Sequence, residues 1–211
     1  MSTSTALWVG SLLLISNAFF VASEFALVAA RRTKLEPRAA QGSSLARSAI
    51  KAMDNLSTVM AAVQLGITLA SVGLGAVAEP ALAKLIDPLV EAAHVPHNLL
   101  HPIAFTLTML VVVYLHVVMG EMVPKNIALA GPERAALALG APMMFFVAVF
   151  RPLIALINGV SDAVVRLMRL EPASAIASTF TKEEVEALLN ESRDEGLLEQ
   201  GEYERLSGAL G

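Results

Sequence analysis

The chain contains no cysteine. Disulfides and thiolate-bound metals are therefore excluded. Histidine is nearly as scarce, four in 211 residues, which leaves little for a zinc or copper centre. Charge is the third shortage. Asp, Glu, Lys and Arg make up 16% of the residues, against roughly 25% in an ordinary soluble domain. No Gly-x-Ser-x-Gly nucleophile motif is present either, and His116 is the one histidine inside an apolar run. An intramembrane enzyme is not expected, and neither is a nucleic-acid partner.

What is present is apolar. Hydrophobic residues reach 55% and the mean hydropathy is +0.64. Both point to a membrane protein before any motif is read. Met1 to Ser23 carries no charge, and the basic cluster follows this run instead of preceding it. That order fits a retained membrane helix better than a cleaved signal peptide.

Crossing the hydrocarbon core takes about 20 apolar residues in a helix. Leu7 to Ala30, Asn55 to Ala78 and Pro102 to Met122 are long enough. A fourth apolar region, Ala135 to Leu170, is interrupted by Arg151, Pro152 and Asp162 into uncharged pieces of 16 and 9 residues. These pieces are short for a span. A bent helix at the membrane surface is expected, with Arg151, Arg166 and Arg169 meeting lipid head groups. A fourth span is the rival reading. The predicted fold is an all-α membrane protein with three transmembrane helices, a juxtamembrane helix and a short cytoplasmic helical segment. The predicted parts are 1–134, 135–172 and 173–211.

Basic residues near helix ends set orientation. Arg31, Arg32, Lys34, Arg38, Arg47 and Lys51 follow the first span. The second span is followed by Lys84, Asp87, Glu91 and three histidines. Lys125 and Arg134 follow the third. This pattern places the N-terminus outside and the C-terminal segment in the cytoplasm of a multi-pass inner-membrane protein. The histidine-bearing stretch "HVPHNLLHP" reads as a plain outer loop. Residues 173–211 hold three basic and nine acidic residues. There Thr181 and Glu184 form a capping box, and Val185, Leu188, Leu189, Leu197 and Leu198 make a narrow apolar stripe. A soluble helix pair leading toward a further cytoplasmic domain is expected.

Polar side chains in a bilayer need partners or a water-filled cavity, so their positions are informative. On the first span, Ser16 and Ser23 are seven residues apart, as are Asn17 and Glu24. Glu24 could pair with Arg31 or Arg32. On the second, Gln64, Thr68, Ser71 and Gly75 form one helical stripe. Gly66 and Gly73 add a row of small residues suited to close helix packing. On the third, Pro124 removes a backbone donor and frees the Gly120 carbonyl beside the Glu121 carboxylate. A simple Glu121–Lys125 helix pair is the plainer alternative. Carboxylate, hydroxyl, amide and carbonyl oxygens are hard ligands that suit Mg²⁺, Ca²⁺ or Na⁺. Spacing alone does not choose among these ions.

The stretches "FFVASEFALVAARRTKLE", "QLGITLASVGLG" and "GEMVPKNIAL" resemble the three signature regions of the CorC/cyclin M membrane domain. The tail "FTKEEVEALLNESRDEGLLEQGEYE" resembles the linker that precedes that family's paired CBS domains. The resemblance implies a homodimer with three spans per protomer and Na⁺-coupled Mg²⁺ transport. It implies an ion site carried by Ser23, Gly120 and Glu121 with polar groups of the second span. The second signature departs from the family's Gly-Asn-x-x-x-Asn pattern, because Ile67 and Ser71 replace the asparagines. The expected cargo site for Mg²⁺ is Ser23, Ser71, Gly120 and Glu121, with Thr68 and Gln64 compensating from the second span. A second set for Na⁺ is expected at Asn17 and Glu24. Membrane lipid and a second copy of the chain are the expected partners. The rival function is a non-transporting dimeric anchor for cytoplasmic sensor domains.

Overall fold

The computed structural model describes residues 2–92, 97–168, 186, 189–193 and 200–210. The chain divides into two compact units, Met1–Leu170 and Glu171–Gly211. In the first unit α1 (Thr3–Ala29), α2 (Arg32–Ala40), α3 (Ser44–Asp54) and α4 (Leu56–Ala92) are followed by α5 (His97–Leu115). A π-helical turn (His116–Met122), α6 (Val123–Ala130) and α7 (Pro132–Leu167) complete it. In the second, α8 (Gln200–Leu210) carries Tyr203, whose hydroxyl donates to Asn190 Oδ1 at 2.8 Å. The described residues contain no strand. The capping box at Thr181, the positions Val185, Leu188, Leu197 and Leu198, Arg169 and residues 93–96 lie outside the described residues, whereas His97 to Pro102, expected as outer loop, form the first turns of α5.

Ser2 caps α1, its hydroxyl accepting from the Thr5 N–H at 3.1 Å. α1 and α4 pack antiparallel, and small residues on α4 set the spacing. Gly10 lies beside Ala78 and Leu74, Leu13 rests on Gly73, and the Phe20 ring lies flat on Gly66. A Cβ at Gly66 would come within 2.4 Å of the Phe20 ring. Overpacking of this kind costs about 1–3 kcal/mol. Gly66→Ala is therefore expected to lower the melting temperature in detergent, and adding Phe20→Leu should recover most of the loss. An unchanged melting temperature for Gly66→Ala alone would show that the ring yields freely.

Between α2 and α3 the chain turns at Gly42, whose φ of +94° suits glycine. Ser43 caps α3, accepting from the Ala46 N–H at 3.3 Å. Arg32 binds both Glu36 and Asp54, and Lys34 reaches Glu133 at 3.0 Å. The Glu36 hydrogen bond and the Asp54 carboxylate raise the Arg32 pKa further. These contacts tie the basic segment to the start of α7.

α7 runs as one helix through Pro142, Arg151 and Pro152. Each proline removes one backbone donor, and the ladder resumes beyond it. Among the described residues four helical stretches are thus long and apolar enough to cross a membrane, one more than the three expected: 3–29, 56–86, 99–130 and 132–167. The α7 side chains enter only one of two buried clusters. That cluster joins Met143, Val147 and Ile154 to Leu27, Val59 and Val63. The other, built on Leu74, Ala78 and Val112 with Leu13 and Leu14, contains nothing from α7.

Candidate ion-binding site

The third apolar stretch is not a regular helix. Between His116 and Met122 the backbone adopts π-helical pairing, and the Val123 N–H reaches back five residues to the Val118 carbonyl. Pro124 has no N–H, so the Gly120 carbonyl loses the partner an α-helix would give it. The donor comes from another helix. Asn17 Nδ2 of α1 donates to Gly120 O at 2.9 Å, and Asn17 is fully buried. Glycine permits this approach, because a Cβ at position 120 would lie 3.1 Å from both Asn17 Nδ2 and Leu14 Cδ1.

The chain of contacts continues into α4. Ser71 Oγ donates to Asn17 Oδ1 at 3.4 Å. Three helices thus meet through Ser71, Asn17 and the Gly120 carbonyl. Beside them, His116 Nε2 lies 3.0 Å from Glu121 Oε1. An i,i+5 pair would diverge on an α-helix, whereas π pairing brings the two side chains to one face. Glu121 keeps a side-chain exposure of 46%, against 18% for His116, so its carboxylate is open to an approaching cation.

The remaining sequence candidates separate. Ser23 is fully buried, and its hydroxyl donates to Phe19 O at 2.7 Å. Its oxygen lone pairs stay available. Thr68 donates to Gln64 O at 2.7 Å, and both Gln64 and Thr68 are exposed. Glu24 is half-buried, and among the described residues it makes no ion pair within 4.0 Å. Arg32, the partner considered for it, is occupied by Glu36 and Asp54. Lys125 turns to the Phe25 ring, 4.7 Å from its centroid, rather than to Glu121. Neither the Asn17–Gly120 bond nor the His116–Glu121 pair was anticipated. The missing donor at Pro124 was the one signal in the sequence that could have prompted a search for a replacement. Among the described residues no three His, Asp or Glu side chains cluster as a metal centre. The donor set is one carboxylate with neutral oxygens, which suits a hard cation held weakly.

Apolar helices of spanning length around a polar, broken-helix interface define a multi-helix membrane protein with a polar junction between its helices. Residues 8–202 match the family model described as the cyclin M transmembrane N-terminal domain. The chain belongs to the cyclin M transmembrane family, to which CorC also belongs. It is 43% identical over 210 residues to the uncharacterized protein Rv1841c of Mycobacterium tuberculosis, covering 100% of this chain and 60% of the relative. It is 36% identical over 191 residues to the UPF0053 protein YhdT of Bacillus subtilis, covering 90% of this chain and 41% of the relative. A second Bacillus subtilis relative, the UPF0053 protein YhdP, is 33% identical over 193 residues and is matched over 44% of its length. The chain thus spans about half the length of these relatives.

Proposed function

We propose that this chain forms the membrane domain of a Mg²⁺ transporter, driven by Na⁺ in the direction of export. One observation carries the reading. The π-helical turn presents the Gly120 carbonyl and the Glu121 carboxylate together at a three-helix junction with Asn17 and Ser71. Membership of the cyclin M family, generally linked to divalent-cation transport, supports it. Mg²⁺ sheds water reluctantly, so a site with a single carboxylate holds a partly hydrated ion. Glu121 would supply charge. Ser23, Ser71 and the Gly120 carbonyl would supply neutral oxygens, with Gln64 and Thr68 reaching in only after rearrangement. Na⁺ would use Asn17 and Glu24.

In this reading α1, α4 and the α5–α6 stretch cross the bacterial plasma membrane. The N-terminus faces out and α2–α3 face the cytoplasm. α7 lies along the inner surface. Its packing on the α2–α3 side supports that placement: among the described residues its side chains meet α2, α3, α6 and residues 20–27 of α1 and 59–63 of α4. A spanning α7 would also reach the cluster around Leu74 and Val112, and it does not. A homodimer belongs to the same reading.

The test is flux. The full chain, reconstituted in liposomes with a trapped Mg²⁺ dye, is expected to move Mg²⁺ faster when a Na⁺ gradient is imposed. Absence of flux from folded protein would overturn transport in favour of the dimeric anchor. Flux indifferent to Na⁺ would remove the coupling alone.

A further inference from the structure

A cavity with both polar and apolar walls lies where α3, the start of α4 and the middle of α7 meet. It encloses about 420 Å³. Lys51, Asn55 and Thr58 form one wall, Arg151 stands opposite, and Met144 and Val147 make an apolar floor. Lys51 and Arg151 make no ion pair among the described residues. Two free cations therefore face one hollow. The first turn of α4 begins at Leu56, directly after Asn55, so backbone N–H groups and the positive end of a 37-residue helix add to the field.

The surroundings continue this pattern outward. Phe145, Val149 and Leu156 of α7 are 72%, 54% and 63% exposed. They form an exposed apolar stripe on α7, about a third of a turn round the helix from the cavity residues. Cations and helix N–H groups over an apolar floor, with an apolar stripe on the same helix, match one kind of molecule. A phosphate would sit between Lys51 and Arg151, and acyl chains would lie along α7.

We infer that this cavity binds the phosphate head group of an anionic phospholipid from the inner leaflet. The inference rests on the surface placement of α7 proposed above and not on transport. Its test therefore reads binding and leaves flux aside. The lipid would brace α7 against the α3–α4 corner, coupling the membrane's charge to the position of that helix.

The experiment uses the full chain, delipidated in neutral detergent and titrated with phosphatidylglycerol or phosphatidylcholine, bound lipid being counted by native mass spectrometry. Phosphatidylglycerol is expected to bind and phosphatidylcholine not. Lys51→Gln/Arg151→Gln should weaken phosphatidylglycerol about thirtyfold, the effect of two cations at head-group level. Arg38→Gln/Arg47→Gln removes the same charge from the same basic segment and should weaken it less than threefold. Lys51→Arg/Arg151→Lys should retain binding. If the double glutamine variant does not fold, the single variants, each expected at about fivefold, read the same site. Equal losses in both glutamine pairs would overturn the site in favour of diffuse attraction. Displacement of the lipid by an equal concentration of glycerol phosphate would overturn the lipid assignment in favour of a soluble anion. Equal binding of the two lipids would overturn the inference outright.

Discussion

Asn17→Ala is expected to destabilise the protein by about 1–3 kcal/mol and to reduce Mg²⁺ flux at least about tenfold. The physical reason lies in the third span. The Asn17 amide is the donor that the Gly120 carbonyl receives at 2.9 Å, in a fully buried setting. Pro124 cannot replace it. Removing the amide leaves a strong acceptor unsatisfied in a medium of low dielectric. Asn17→Asp keeps the shape but sets a carboxyl oxygen against a carbonyl oxygen, so it should be no milder. Ser71→Ala removes only a long 3.4 Å contact and should cost under about 1 kcal/mol. Thermal unfolding in detergent measures all three. Equal melting temperatures for Asn17→Ala and the parent would show that the Gly120 carbonyl finds another donor, and the junction would lose its anchor.

Glu121→Gln is expected to cut Mg²⁺ flux by at least about a hundredfold, about 2.7 kcal/mol, while leaving the melting temperature near that of the parent. Its side chain is 46% exposed and its partner is His116, on its own turn of backbone. Glutamine preserves the size and a hydrogen bond to the imidazole. It removes the one full negative charge at the junction of Ser71, Asn17 and Gly120. Stability and flux should therefore separate in Glu121→Gln and fall together in Asn17→Ala. Full flux in Glu121→Gln would sink the ion-site reading and favour an anchor whose glutamate serves only its histidine.

The three apolar stretches expected to span are helices of spanning length, because length and lack of charge are local properties. Leu7 to Ala30 became Thr3–Ala29, and the stretch ending at Met122 became α5 with its π-helical turn. α7 is read from sequence as a bent surface helix whose uncharged pieces are short for a span, and in the structure it is one continuous helix of spanning length with Arg151 at a cavity wall. The stripe on α4 shows a subtler limit. Gln64, Thr68 and Ser71 do lie on one side of the helix, but the buried face of α4, marked by Val59, Ala62, Val63 and Ala70, is centred roughly two-fifths of a turn away. Only Ser71, on the near edge, reaches α1. A period says which residues share a face and not which face meets a neighbour. The Asn17–Gly120 bond was illegible for another reason, since 103 residues separate its ends. The carbonyl's need was visible in Pro124, and the identity of its donor depended on packing.

That bond also orders the assembly of the chain. A helix normally completes its own ladder and can enter a bilayer as a finished object. The third span cannot. It arrives with one carbonyl short of a donor, and the donor was synthesised about a hundred residues earlier, on α1. The third span reaches its final backbone conformation only with α1 already alongside. The polar junction therefore exists only in chains whose first and third apolar helices have met.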